Sequence, residues 1–463
     1  MRQVSRVLST YTADVSGVCS ALYEMGGMII MHDASGCNST YNTHDEPRWY
    51  DMPALVFVSG LSELEAVMGD EEKLMRDVEQ AARELRPRFV AIAGTPIPMM
   101  MGTDFRGLAR ILERRLGIPV LGFSTNGTHS YISGAGMALA EAARRFCLRE
   151  DIGAGRNVTG LPEGRIRDGR DGGEMPSKAE KQLTVNLLGV TPLDFSVTGN
   201  VEALREVFAA CGYRVNSCWA MGSSWEELIR AGEAQVNVVV SAAGIELAKA
   251  LQELFQIPWV LGIPAGQALT RAVMDAVDRA ARTGENQLPL RTAPEIIPEM
   301  LPAQNRGQGQ SRMRNRKLSG LPAEEGTVYI IGEWVWAMSL RYSLVWEYGC
   351  PHVKVICPLE PGEIFTDRIQ TKGRELVPGI LEVVNEGSLF LEYEDQIEEQ
   401  LKDAAAVIAD PLYRRILPGD RKVRFLDFPH EGYSGRIYRK DIPVFIGEGW
   451  NRWVEAYAGR VGI

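Results

Sequence analysis

The chain has 463 residues, 45% of them hydrophobic and 24% charged, with a formal net charge of -10, which describes a globular protein without general attraction for nucleic acid. That length exceeds what one hydrophobic core serves, so two to four domains are expected. No run approaches the roughly 18 apolar residues of a membrane helix, and MRQVSRVLSTYTADV lacks the apolar block of a secretory signal, so a cytoplasmic protein is expected.

From residue 1 to 150 strand and helix alternate. GGMIIMHDASG reads as a buried strand ending in a turn and ALVFVSG as a second. RPRFVAIAGTP is a third, reached through the amphipathic helix EEKLMRDVEQAARELR, and IPVLGFSTNG a fourth after DFRGLARILERRLG, which closes on glycine. Short apolar runs between amphipathic helices imply a parallel sheet covered on both faces, with chemistry in the strand-exit loops. One such loop is GTPIPMMMGTD, residues 94-104, whose three consecutive methionines cannot all face one core; it either packs as an ordinary loop or lines a cavity or subunit contact.

Residues 151-182, rich in Gly, Pro and charge, read as an insertion or linker. A second unit, 183-292, runs from LTVNLLGVTP through VEALREVFAACG, YRVNSCWAMG, QVNVVVSAAG and IELAKALQELFQ to IPWVLGIPAG and a helix near 268-292. Residues 293-325 read as a crossing between lobes; their basic run, Arg306, Arg312, Arg314, Arg316 and Lys317, is expected to be solvated or to dock rather than to bind nucleic acid. A third unit, 326-463, begins at GTVYIIGEW and passes through HVKVICPL, AAAVIADP, VRFLDFP and IPVFIGEG to a helix holding Trp450 and Trp453. The expected fold is therefore α/β, three Rossmann-like lobes with parallel sheets and a site between them.

Seven cysteines at irregular intervals, with no CxxC pair, argue against a disulfide framework. Cys37 follows Gly36, which turns without a Cβ penalty, at a strand-to-helix transition that favours the thiolate. It is either a soft ligand for iron-sulfur or other transition-metal chemistry or a buried inert thiol. His32, Asp33, His44, Asp45 and Glu46 surround it in sequence. Cys19, on an apolar helix, is as readily core as ligand, and Cys147, Cys211 and Cys218 read as core. FPHEGYSGRIYRK, residues 428-440, sets His430, Glu431, Tyr433, Arg436, Tyr438 and Arg439 just past a strand, where they could ligate a metal or hold an acidic substrate. No GxxxxGK[ST] and no convincing GxGxxG follows a strand, and VVVSAAG around Ser241 is not a GxSxG elbow.

MIIMHDASGCNSTYNTH, MGTDFRGL, FSTNGTHSYISGAG and the rhythm of NVEALREVFAACGYRVN and QVNVVVSAAGIELAKALQELFQIPWV together resemble the nitrogenase component 1 family over nearly the whole chain. That family includes the molybdenum-iron protein subunits, the cofactor-assembly scaffold and the dark-operative protochlorophyllide reductases. The resemblance implies an oxidoreductase component that is a homodimer or pairs with a component 1 paralogue. It also implies a 4Fe-4S cluster shared between the subunits and electrons supplied by an ATP-hydrolysing iron protein. A tetrapyrrole or another metallocofactor is the implied substrate or ligand.

Carried over by position, Cys37 matches the family's central cluster ligand, with Cys19 as a possible second metal ligand and His32, Asp33 and Gly36 beside the cluster. The first family ligand falls near Tyr11 or Thr12 and the third at Pro96, neither of which supplies a thiol. Ser241 stands where cofactor-bearing α-subunits have cysteine, and His430 resembles their cofactor histidine, with Tyr433, Arg436 and Arg439 positioned to hold anionic groups or supply protons. The short ligand set leaves two other readings: a metallocofactor assembly or carrier protein, or a cluster-poor structural subunit. An unrelated α/β enzyme is the remaining alternative.

Overall fold

A computed structural model describes residues 6-8, 12-34, 41, 46-69, 71-147, 182-290, 326-359, 362-419 and 423-459. Gly36, Cys37, His44, Asp45 and the basic run of 306-317 lie outside the described residues, as do nearly all of the expected linker and crossing. Three parallel sheets form three lobes.

In the first lobe, α1 (Asp14–Leu22) leads to β1 (Met28–Met31) and β2 (Leu55–Val58), then α2 (Glu63–Met68), α3 (Glu71–Leu85) and β3 (Val90–Ala93). α4 (Pro96–Met101), α5 (Phe105–Leu116), β4 (Val120–Phe123) and α6 (Tyr131–Phe146) complete it. The strand order is β2-β1-β3-β4, with Met28 beside both Leu55 and Val90. Alternation along the strands divides the sheet between two cores: Met28, Ile30, Val90 and Ile92 face Leu74, Val78, Leu108 and Leu112 of the outer helices, whereas Ile29, Met31, Ala91 and Ala93 join the core that continues through the other lobes. The methionine-bearing strand exit is a short helix, α4, rather than a loop, because Pro96 sits in its first turn, where its missing N–H is not needed.

The second lobe holds β5 (Thr184–Leu188), α7 (Pro192–Phe195), α8 (Asn200–Ala210), β6 (Arg214–Trp219), α9 (Trp225–Ile229), β7 (Val236–Val239), α10 (Ile245–Phe255), β8 (Trp259–Leu261) and α11 (Gly266–Thr283), with sheet order β6-β5-β7-β8. The third holds β9 (Thr327–Ile331), α12 (Trp334–Tyr348), β10 (Val353–Cys357), α13 (Gly362–Arg368), the antiparallel pair β11 (Gln370–Thr371) and β12 (Arg374–Glu375), α14 (Ile380–Gly387) and β13 (Ser388–Phe390). It ends with α15 (Glu394–Gln400), β14 (Ala404–Ala409), β15 (Arg424–Asp427), α16 (Glu431–Ser434) and α17 (Glu448–Gly459), in sheet order β13-β10-β9-β14-β15.

Every residue of α1 is buried, and α6 lies between α1 and α10, joining the first lobe to the second. Glycine makes the α1–α6 crossing possible: a Cβ on Gly134 would fall 1.8 Å from the Asp14 carbonyl oxygen, and one on Gly17 2.1 Å from that of Tyr131. That close crossing brings the start of α6 to the point where the strand exits of the other two lobes converge.

Candidate functional site

Two places gather the candidate residues, and they differ in kind. The first is the exit of β1. His32 and Asp33 leave the strand buried, and the Ser59 hydroxyl holds both: it lies 2.8 Å from His32 Nδ1 and accepts the Asp33 N–H at 3.1 Å. Thr95 Oγ1 donates to the His32 carbonyl at 3.0 Å, and burial holds the His32 ring below its usual range. The chain therefore approaches Gly36 and Cys37 from a rigid anchor.

On either side of β1 in the sheet are β2 and β3, and the helices that follow them, α2 and α4, touch each other. α2 buries none of its residues: Leu64, Val67 and Met68 are 72%, 78% and 73% exposed, and Met100 of α4 is 82% exposed. These exposures leave α2 and α4 with an uncovered apolar surface.

Behind this exit lies a buried ion cluster. Glu46 accepts Ser20 Oγ at 2.7 Å and Tyr41 OH at 3.1 Å, and Arg48 donates to it through Nε at 2.7 Å. Arg48 also reaches Glu24 at 2.9 Å, and Glu24 accepts the N–H of Gly222 in the second lobe at 2.8 Å. The Arg48 guanidinium and its hydrogen bonds outweigh burial and hold Glu46 below its usual range. Cys19 faces the opposite balance: burial first, then the Glu46 charge, raise its thiol far above the ordinary range. Fully buried on α1 among apolar side chains, Cys19 occupies a packing environment rather than a ligand one.

The second place is the junction of the three lobes, centred on Asp194 of α7. Its carboxylate accepts Thr191 Oγ1 and Ser241 Oγ, both at 2.7 Å, and the hydroxyl of Tyr131, the first residue of α6. Burial and the Asp194 charge raise the Tyr131 hydroxyl well above the usual phenol range, so it remains a donor. His430 Nε2 lies 3.5 Å from Asp194 Oδ1, and the ring is enclosed by Tyr131, Trp336 and Tyr433. His430 Nδ1 accepts the Gly432 N–H at 3.1 Å, which leaves the proton of the neutral ring on Nε2.

Glu333 closes the junction from the third lobe. It caps α12 by accepting the Val335 and Trp336 N–H groups at 3.0 and 2.9 Å and reaches across to the Ala242 N–H at 3.0 Å. Those three donors favour its ionised form, but burial and the nearby Asp194 charge prevail and push its carboxyl up to about 8. Asp410, buried just past β14, accepts the His430 N–H at 2.9 Å and Ser434 Oγ at 2.7 Å, so the backbone around His430 is fixed as well.

The candidates of the last lobe are not assembled into one binding face. His430 and Tyr433 are buried at the junction, Arg439 is paired with Glu431 at 3.1 Å through its terminal nitrogen, and Arg436 is exposed. Asp194, Glu333, Tyr131 and Asp410, which sequence reasoning did not single out, form the centre instead. Their available signal was position: Asp410 directly follows β14, and Glu333 stands two residues past β9.

Of the two side chains expected to hold a metallocofactor between the lobes, Ser241 is engaged by the chain itself and His430 through one of its two ring nitrogens. Ser241 Oγ is committed to Asp194 and to the Ala243 N–H at 3.1 Å, and His430 Nδ1 to the Gly432 N–H, whereas the buried Nε2 of His430, 3.5 Å from Asp194 Oδ1, has no hydrogen-bond partner. Among the described residues no group of three or more His, Cys, Asp or Glu side chains is arranged to hold a metal ion. The junction gathers groups that can hold and share protons.

Residues 15-358 match the family described as "Nitrogenase component 1 type Oxidoreductase". The chain belongs to that family. This component 1 chain is 23% identical over 348 residues to the nitrogenase molybdenum-iron protein alpha chain of Methanosarcina barkeri, covering 74% of itself and 56% of that protein. It is 28% identical over 223 residues to one of the light-independent protochlorophyllide reductase subunits of a Methylobacterium species, covering 47% of itself and 38% of the relative. The solved structure described as nitrogenase Cp1 at pH 6.5 superposes with a TM-score of 0.61 at 14% identity, over 100% of this chain and 96% of that one, a likeness of fold. The chain spans between a third and just over half of the length of the curated relatives it matches most strongly: 33% and 56% for two molybdenum-iron alpha chains. Among the described residues of this component 1 protein, no helix is long and apolar enough to cross a membrane.

Proposed function

We propose that this chain is the electron-carrying subunit of a nitrogenase-like complex, in which the Cys37 thiolate, presented by the Gly36 turn, ligates a 4Fe-4S cluster shared with a second subunit. The partner is a twin or a component 1 paralogue, and electrons come from an ATP-hydrolysing iron protein. The observation that carries this reading is the exit of β1, where buried His32 and Asp33 anchor the approach to Cys37 and the exposed apolar residues of α2 and α4 flank it. A cluster needs about four ligands, and a two-fold axis duplicates whatever one subunit supplies. The cluster supplies one-electron chemistry, and the chain supplies its orientation and the dry, apolar flank. The molecule to be reduced is a tetrapyrrole or another metallocofactor held between the lobes. His430 and Tyr433 then act as internal proton-holding and packing groups, and Arg436 is the member of the late loop free to meet an anion.

A second reading, a cofactor carrier or a cluster-poor structural subunit, is favoured by one observation: the third family ligand position is Pro96, which supplies no thiol. Anaerobic purification with iron and acid-labile sulfide determination separates the two. A reducible brown protein with about four irons per dimer is expected, with most of the iron lost in Cys37→Ser and retained in Cys19→Ala. Colourless protein that cannot be reconstituted overturns the electron-carrying role, and turnover with an iron protein and ATP distinguishes catalyst from carrier.

A further inference from the structure

A cleft of about 740 Å³ runs along the free edge of β4, the terminal strand of the first sheet, between α5 and α6. It is remote in character from both places described above: its walls are cationic and open. Arg106, Arg110 and Arg114 of α5 line it, spaced four residues apart and therefore on one face of the helix, with about 6 Å of rise between neighbours and roughly 12 Å from first to last. Arg144 at the end of α6 and Arg368 from α13 of the third lobe complete the wall.

The charge balance of the cleft is uneven. Glu113 is occupied by Arg145 at 2.6 Å and by the Val120 N–H at 3.1 Å, and Glu246 by Lys249 at 2.8 Å. Arg144 leans on Glu253 at 3.4 Å, and Arg368 donates to Ser133 Oγ at 2.9 Å, which fixes its guanidinium at the edge of the cleft. Among the described residues, Arg106, Arg110 and Arg114 have no ion pair, and one lining carboxylate, Glu141, is left to oppose them. Three aligned, uncompensated guanidinium groups on a rigid helix cost the chain repulsion in a protein whose net charge is -10. An anion placed among them removes that repulsion and meets donors shaped for bidentate contact with phosphate or carboxylate.

We propose that this cleft binds a small polyanion, a molecule carrying two or more phosphate or carboxylate groups about 6 Å apart. The volume lies within the range of small-molecule sites. The proposal is independent of the cluster reading, since the three arginines that carry it, Arg106, Arg110 and Arg114, lie on α5 and belong to neither place.

The test is isothermal titration of the full chain with tripolyphosphate and, separately, with citrate, at low and at raised salt. Saturable binding of either is expected, weakening as salt rises, and the stronger of the two identifies whether phosphate or carboxylate is preferred. Each of Arg106→Gln, Arg110→Gln and Arg114→Gln is expected to weaken binding roughly tenfold, and the triple variant to abolish it. These side chains line an open cleft, so the fold is expected to survive, and unchanged thermal unfolding without ligand verifies it. Arg271→Gln, an exposed arginine of α11, is expected to bind as the parent does. No binding of either anion, or binding that the triple variant retains, overturns the proposal; the second result would move the anion to another surface such as the basic segment 306-317.

Discussion

The exit of β1 and the junction of the three lobes are built from the same materials, strand-end loops bearing His, Asp, Ser and Glu, yet they reach opposite outcomes. At the junction, Tyr131, Ser241 and Thr191 all donate to Asp194 and Glu333 accepts three backbone N–H groups, while the buried Nε2 of His430 has no hydrogen-bond partner. At the β1 exit, Ser59 holds His32 and Asp33, and the flanking helices leave Leu64, Val67, Met68 and Met100 exposed. A polar network held largely from within stabilises a fold, whereas an uncovered apolar surface is a place where a second surface can dock.

Three substitutions break or sharpen this contrast. The largest effect is expected from Asp194→Ala, which leaves the buried Tyr131, Ser241 and Thr191 hydroxyls without their acceptor; urea unfolding is expected to register a loss of about 3 to 5 kcal/mol, with the iron content of folded protein unchanged. A loss below about 1 kcal/mol would mean that the junction is less closed than the hydrogen bonds imply.

The next effect concerns pH. The Glu333 carboxyl is pushed from an ordinary 4.5 up to about 8, so the folded state binds its proton more tightly than the unfolded state does. The resulting stabilisation is fully present below about pH 4.5 and is lost as pH rises towards 8. Across that window the parent is expected to lose up to about 1.4 kcal/mol per pH unit from this group, and Glu333→Gln to give a flatter profile in equilibrium unfolding. Equal slopes in the two proteins would show that Glu333 ionises normally.

The smallest effect on stability is expected at the other region. Val67→Asp on exposed α2 is expected to shift unfolding by no more than about 0.5 kcal/mol, while sedimentation reports weaker subunit pairing. A dimer unaffected by Val67→Asp would remove the α2 surface from the interface.

Much of the architecture was legible because its signals are local. Runs such as MIIM and VNVV are buried along their whole length and form parallel strands, and Leu74, Val78 and Ala82 recur at helical spacing and face the outer core. Ser241 and His430 could be placed at strand exits for the same reason. The methionine stretch hides its helix, since two prolines within three residues signal a loop unless they fall in the first turn. Glu333 was missed because a carboxylate just past a strand has the same sequence appearance whether water or a second lobe covers it, and Asp194, on the short helix α7, carried no strand-exit signal at all.

By itself the sequence determined the rhythm of strand and helix, the three lobes and the family resemblance, since each depends on the period and spacing of neighbouring residues. Only the tertiary structure decided that Asp194 and Glu333 draw hydrogen bonds across the lobes while the β1 exit is flanked by exposed apolar side chains. The physical reason is that burial, and with it the proton affinity of Glu333 and the environment of Cys19, is set by groups that arrive from distant parts of the chain.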